Sequence, residues 1–281
     1  MFIDDLSVNR IGFGAPRLAS DEHCWAPVTD QSAAINLLRR AIDLGVNFID
    51  TADAYGLGTN EELIAKALHP YPNDLAISTK AGQCRPSAKQ WVPLGRPEYI
   101  RQQAVSSLRR LKLDSIPVFH LHRIDPTVPF EEQVGALKQL KDEGHIQHVG
   151  LSQVTVNQID IARRIVDITC VQNKYNLVER CSEDVLKHCE TLGITFIPWP
   201  PIGECAHVEP GDFLFLTAKE LGVTPAQLAL AWLLHKSPHI LLIPGTSSIS
   251  HLNENMAAKY ITLNDRDVHR LNTFGLMLER K

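Results

Sequence analysis

The stretch "IPVFHLHRIDPTVPFEEQVGALKQLKDEGHIQHVGLS", residues 116–152, reads as one strand, one helix and a second strand. Its first run, 116–122, is apolar and strand-like, and its last, 145–152, is another. Between them EEQVGALKQLKDEG carries apolar residues at helical spacing and closes on Gly144, a residue that suits a left-handed helix end. Two strands joined by a helical crossover run parallel.

The same rhythm extends in both directions. Strand-like runs fall at 10–15, 46–50, 75–80, 168–173, 194–199 and 240–245, giving eight in all. Helix-patterned segments separate them: SAAINLLRRAIDLG, NEELIAKALH, PEYIRQQAVSSLRRL, TVNQIDIARRI, SEDVLKHCETLG and TPAQLALAWLLHK. Gly45 and Gly193 close two of these helices, and Thr224-Pro225 offers an N-cap followed by proline at the first helical position. Eight strands alternating with helices predict an α/β fold, a (β/α)8 TIM barrel, as a single domain over residues 1–281. An open doubly wound sheet is the alternative. It wants a G-x-G-x-x-G turn after an early strand, and GFGAPRLA lacks that spacing.

Bulk properties narrow the function. Hydrophobic residues make up 44% and charged residues 21% of the chain, and the formal charge is −4 with lysines and arginines scattered. Nucleic-acid binding and a polybasic membrane anchor are therefore not expected. No apolar run approaches the roughly 20 residues of a bilayer span. MFIDDLSVNR lacks the basic start and apolar core of a signal peptide, and the six cysteines show no C-x-x-C pattern. These features predict a cytoplasmic protein with reduced thiols.

In a barrel of this kind chemistry gathers where strands end. The strand ends are Asp50, Lys80, His122, Ser152, Gln172, Trp199 and Gly245, and TADAYG places Tyr55 just beyond the second. An acid, a lysine, a histidine and a tyrosine at one mouth suit reduction of a carbonyl. A lysine cation would lower the phenol from its usual pKa of about 10. The aspartate would hold the amine, and the histidine would hydrogen-bond the oxygen as charge develops there. Tyr55 would then act as general acid. The hydride must come from a cofactor, because no side chain delivers one. A structural Asp50–Lys80 ion pair is the plainer reading of those two residues.

At this point the chain resembles the aldo-keto reductase superfamily. The likeness is carried by "GVNFIDTADAYGLGTNEELIAKAL", "ISTKAG", "LHRID", "IQHVGLS", "VQNKYN" and "IPGTSSISHLNENMAA". It implies a barrel binding a nicotinamide cofactor across its mouth, with Asp50, Tyr55, Lys80 and His122 as the catalytic four. It also implies that Ser152, Gln153 and Gln172 hold the carboxamide and that Trp199 stacks on the nicotinamide. Gly245, Thr246, Ser247 and Ser248 fall at the phosphates, and His251, Glu254 and Asn255 at the adenosine end. Three departures stand out. Gln153 replaces the usual asparagine, and Trp199 replaces a tyrosine. Gly245 and His251 stand where the family carries a lysine and an arginine near the adenosine 2′-phosphate. The resemblance favours NADP(H), and these two residues leave NAD(H) open. The expected substrate is a small aldehyde or ketone, with pyridoxal-type aldehydes one candidate among bacterial relatives.

Trp25 and Trp91, in loops after the first and third strands, are expected to line the substrate pocket, and a monomer is expected. Two other classes compete. His120-Leu121-His122 raises a metal-dependent hydrolase, although the later strand ends offer poor ligands and no metal is expected. A cofactor-binding sensor or partner protein, as in potassium-channel beta subunits, is the other. The more economical reading of His120 is a barrel-interior residue one layer below the mouth.

Overall fold

The computed structural model describes residues 1–19 and 23–279. Seven barrel strands are β1 (Phe13–Gly14), β2 (Phe48–Asp50), β3 (Ala76–Ala81), β4 (Ile116–Leu121), β5 (Ile146–Ser152), β6 (Ile168–Gln172) and β7 (Thr195–Phe196). They form one parallel sheet in the order β7-β6-β5-β4-β3-β2-β1. Each of the first seven expected runs holds its strand.

The eighth run, 240–245, closes the ring through single bridges. Ile240 pairs with Phe196 of β7, and Leu242 pairs with Ile11 ahead of β1. Gly12 N donates to the Leu242 carbonyl at 2.8 Å, and Leu241 N donates to that of Phe196 at 3.0 Å. Proline at 244 has no N–H to extend this ladder. A Cβ on Gly14 would meet the Ile243 carbonyl oxygen at 2.5 Å, so glycine lets the seam close. The fold is the (β/α)8 barrel that the alternation predicts.

Helices α1 (Gln31–Asp43), α2 (Thr59–Leu68), α3 (Pro97–Leu111), α4 (Phe130–Asp142), α5 (Val156–Arg163) and α6 (Glu183–Leu192) follow successive strands. Beyond β7 come α7 (Phe213–Glu220), α8 (Pro225–Lys236), α9 (Ile249–Ala257) and α10 (Asp265–Glu279). Thr224 caps α8 through Gln227 N in a reciprocal capping box. Gly45, Gly144 and Gly193 all take positive φ at helix ends.

Two apolar layers hold the molecule together. The larger lies between helices and sheet and includes Leu37, Ile64, Leu108, Leu137, Val149 and Leu151. The smaller fills the barrel with Phe48, Ala76, Val118, Cys170, Ile197 and Leu241. Ile3 and Val8 join this inner cluster from a short antiparallel hairpin, Phe2–Ile3 with Leu6–Ser7, which plugs the end opposite the mouth. Burying each large side chain stabilises by about 1.5–3 kcal/mol. The hairpin was not expected from sequence, because strands of two residues leave no alternation to read.

Candidate active site

Asp50 ends β2 and Lys80 lies in β3, the neighbouring strand, with both side chains buried. Lys80 Nζ donates to Asp50 Oδ2 at 2.6 Å and to the Thr51 carbonyl at 2.7 Å. The loop after β2 then turns sharply through Gly56, Leu57 and Gly58, all at positive φ. A Cβ on Gly58 would strike the Arg110 side chain at 2.7 Å, and this φ favours glycine in any case. The turn leaves Tyr55 facing back over the lysine, with Nζ 5.5 Å from the phenol ring centroid. Buried Asn60 steadies the loop, accepting from Thr51 Oγ1 and donating to the Ala15 carbonyl.

His122 follows β4 directly. Its ring meets that of Tyr55 edge-on, centroids 6.1 Å apart, and that of Trp91 at 6.3 Å. Its Nδ1 is buried with no hydrogen-bond partner among the described residues. The structure thus brings Asp50, Tyr55, Lys80 and His122 together, and Tyr55, His122, Asp50 and Trp91 share one cavity of about 530 Å³.

Burial dominates the electrostatics. It pushes the Tyr55 phenol well above the ordinary tyrosine range, and the Asp50 carboxylate adds to the effect. The expectation that Lys80 would depress this phenol is corrected here. Desolvation outweighs the nearby cations, and the cation acting against it is Arg123. Burial likewise lowers Lys80, opposed by Asp50. Burial, then Lys80 and Arg123, hold His122 well below the usual histidine range, so it faces the cavity as a neutral imidazole.

The other residues expected at the mouth are spread more widely. Gln172, Trp199 and Gly245 line the cavity. Gln172 Nε2 donates to Asp50 Oδ1 at 3.2 Å. Ser152 is buried, its Oγ accepting from Arg123 Nη1 at 3.0 Å. Gln153 lies outside the cavity lining. Its Oε1 accepts from Trp199 Nε1 at 3.1 Å and from Lys174 N at 2.6 Å, so the amide braces the indole. Along the rim, Thr246 Oγ1 accepts from Ser248 N, and Ser248 caps α9 by accepting from His251 N. Exposed Ser247 and His251 flank that cap, Asn255 is buried within α9, and the Glu254 carbonyl accepts from Gln227 Nε2. Trp91 lines the cavity and Trp25 does not; Arg85 stacks on both, its Cζ 3.5 Å from the first indole centroid and 5.4 Å from the second.

Sequence reasoning missed Arg123. It follows His122 in the same motif, lines the cavity and lies over Trp199 with Cζ 5.1 Å from the ring centroid. Its place one residue past the strand end was the available signal.

Among the described residues neither His120 nor His122 belongs to a grouping of three side chains that could hold a metal ion. The one such grouping among those residues is Asp4, Asp5 and His148, around the hairpin at the opposite end.

At the mouth of a (β/α)8 barrel, a buried carboxylate–ammonium pair lies under a phenol with a neutral imidazole beside it. The aldo/keto reductase family model matches residues 10–275, and the chain belongs to that family. Among curated relatives it is similar to an uncharacterized oxidoreductase of Schizosaccharomyces pombe, 44% identical over 97% of this chain and 89% of the relative. It is 40% identical to pyridoxine 4-dehydrogenase of Escherichia coli, over 95% of this chain and 94% of that protein. Among solved structures, an aldo-keto reductase from Klebsiella pneumoniae in complex with NADPH superposes with a TM-score of 0.80 at 26% identity, covering 95% of this chain and 91% of that one. No described helix is long and apolar enough to cross a membrane.

Proposed function

We propose that this protein is a nicotinamide-dependent carbonyl reductase that converts an aldehyde or ketone to an alcohol, with Tyr55 as proton donor. The observation that carries the reading is the stack of Asp50, Lys80 and Tyr55, with His122 facing the phenol in one cavity. When bound, the cofactor supplies the hydride.

The residues do the rest. A carbonyl oxygen seated between Tyr55 and His122 accepts hydrogen bonds from both, and these strengthen as negative charge builds on it. The phenol, held high by burial and Asp50, keeps its proton until the oxygen becomes more basic than phenolate. Transfer then runs downhill, leaving negative charge on the Tyr55 oxygen above the Lys80 ammonium. Asp50 keeps that ammonium in place.

The chain's residues fit the cofactor. Trp199 offers an aromatic face and Gln172 an amide on the cavity wall, while buried Ser152 reaches that wall through Arg123, and His122 Nδ1 is a buried polar atom with no partner among the described residues. Gln153 serves this site by holding the Trp199 indole. Gly245, Thr246, Ser247 and Ser248 lead into the N-terminus of α9, where backbone N–H groups suit phosphates. His251, Glu254 and Asn255 lie beyond, toward the adenosine. NADP(H) is the form this reading favours, supported by the Klebsiella aldo-keto reductase solved in complex with NADPH. Arg17, beside Gly245 on the cavity wall, supplies a cation where the loop itself has none. Trp91 lines the substrate side, with Trp25 behind it across Arg85. The similarity to pyridoxine 4-dehydrogenase makes pyridoxal-type aldehydes the first substrates to try.

The test pairs binding with turnover. NADPH and NADH are titrated by tryptophan fluorescence, and pyridoxal and benzaldehyde are assayed with each. Tyr55→Phe should bind cofactor as the wild type does and lose about 10²–10⁴-fold in turnover. Undiminished turnover in that variant removes the proposed proton donor.

A further inference from the structure

The two histidines of the His120-Leu121-His122 repeat share one face of the β4 line, but only His122 lines the cavity. His120 lies a layer deeper, fully buried. Its ring occupies space left by Gly150, which pairs with it across β5. A Cβ there would meet His120 Cδ2 at 2.3 Å and Cys170 Sγ at 2.8 Å. His120 Nδ1 stands 3.2 Å from Ser78 Oγ, and its Nε2 stands 3.3 Å from Cys170 Sγ. Ser78 Oγ in turn donates to Asp50 Oδ1 at 3.0 Å.

Counting protons sets the direction of this chain. Ser78 has one hydroxyl proton, and Asp50 receives it. The contact with His120 is therefore filled by Nδ1–H, which leaves Nε2 to accept from the Cys170 thiol. Every donor points toward Asp50. Gln172 Nε2 adds a second bond to the same oxygen, so Oδ1 is fully engaged and Oδ2 is left for Lys80. Burial, then Lys80, keep the His120 imidazole well below the ordinary histidine range, so the order persists at neutral pH.

We propose that His120 is a positioning residue for carbonyl reduction, acting through Ser78 to fix the Asp50 carboxylate on Lys80. This rests on the reading of Asp50, Lys80 and Tyr55 given above. His120 does not line the cavity in which the carbonyl would sit.

Lys80 is faced by Asp50, Asp53 and Tyr55 from β2 and its loop, and by His120, His122 and Arg123 from β4 and the residues after it. Among these Asp50 chiefly keeps it charged against burial. If Asp50 swings away, the ammonium loses its proton at lower pH, and the alkaline fall in kcat moves to lower pH with it.

The experiment uses full-length protein with NADPH, and pyridoxal and benzaldehyde as probes. His120→Leu should lower kcat about tenfold or more, leave NADPH affinity unchanged and shift the alkaline limb of the kcat profile to lower pH. His120→Asn, whose amide nitrogen takes the place of Nδ1, should restore most of the rate and the profile. Ser78→Ala should reproduce the loss, and the double variant Ser78→Ala with His120→Leu should lose no more than either alone. If His120→Leu does not fold, Ser78→Ala with its pH profile decides. Wild-type kcat and pH profile in His120→Leu or Ser78→Ala overturn the proposal, as does an equal loss in His120→Asn and His120→Leu. Tyr55→Phe and Lys80→Met are the controls. If they lose turnover while His120→Leu keeps it, only the positioning role falls; if they keep it, the underlying reading falls too.

Discussion

Lys80 Nζ and Asp50 Oδ2 stand 2.6 Å apart, with side-chain exposures of 0% and 2%. An ion pair this deep forfeits the hydration of both charges, and apolar residues of like volume would often be at least as stable. On the proposed mechanism, its place in the barrel is explained by the charge it keeps under Tyr55. Asp50→Ala strands a buried ammonium and should destabilise the protein by about 3–5 kcal/mol. The double variant Asp50→Leu with Lys80→Met should recover much of that loss. Urea unfolding measures both, and equal losses in single and double variants would count against the pair being coupled.

Gly150 is where the barrel makes room for the His120 ring. Gly150→Ala overfills that space and should cost about 1–3 kcal/mol. Chemical denaturation provides the number. An unchanged midpoint would mean the ring has somewhere else to go.

Asp53 is buried beside the active loop, with Oδ1 unpaired among the described residues. Burial, then Glu61, hold its carboxyl well above the ordinary range. A raised folded value means that the stability contributed is complete below the unfolded value of about 3.9. It is lost as pH rises toward the folded value. Asp53→Asn removes that loss, so its advantage over the wild type should grow from acid to neutral pH. Melting temperatures across this range check the sign, and a constant difference would refute it.

Gln153 sits at φ 55, an unusual backbone for a residue with a side chain, while its Oε1 accepts from Trp199 and Lys174. Gln153→Ala frees the indole and should weaken cofactor binding by about 1 kcal/mol. Saturating cofactor should restore kcat. A fall in kcat at saturation would place Gln153 closer to the chemistry than its contacts indicate.

The alternation of runs and helices was enough to give the barrel, because each run and each helix is a local pattern of period two or about 3.6. The strand-end rule was enough to gather Asp50, Lys80 and His122, and TADAYG added Tyr55. Residue order could not supply the partners across the barrel. Gln172 reaches Asp50 over 122 positions, and Cys170 reaches His120 over 50. Nor could it weigh desolvation, which reversed the direction expected for Tyr55. Local periodicity determined the eight staves and the mouth. Only the closed barrel, by excluding water and bringing distant side chains within bonding distance, decided which atoms meet there and how their protons are held.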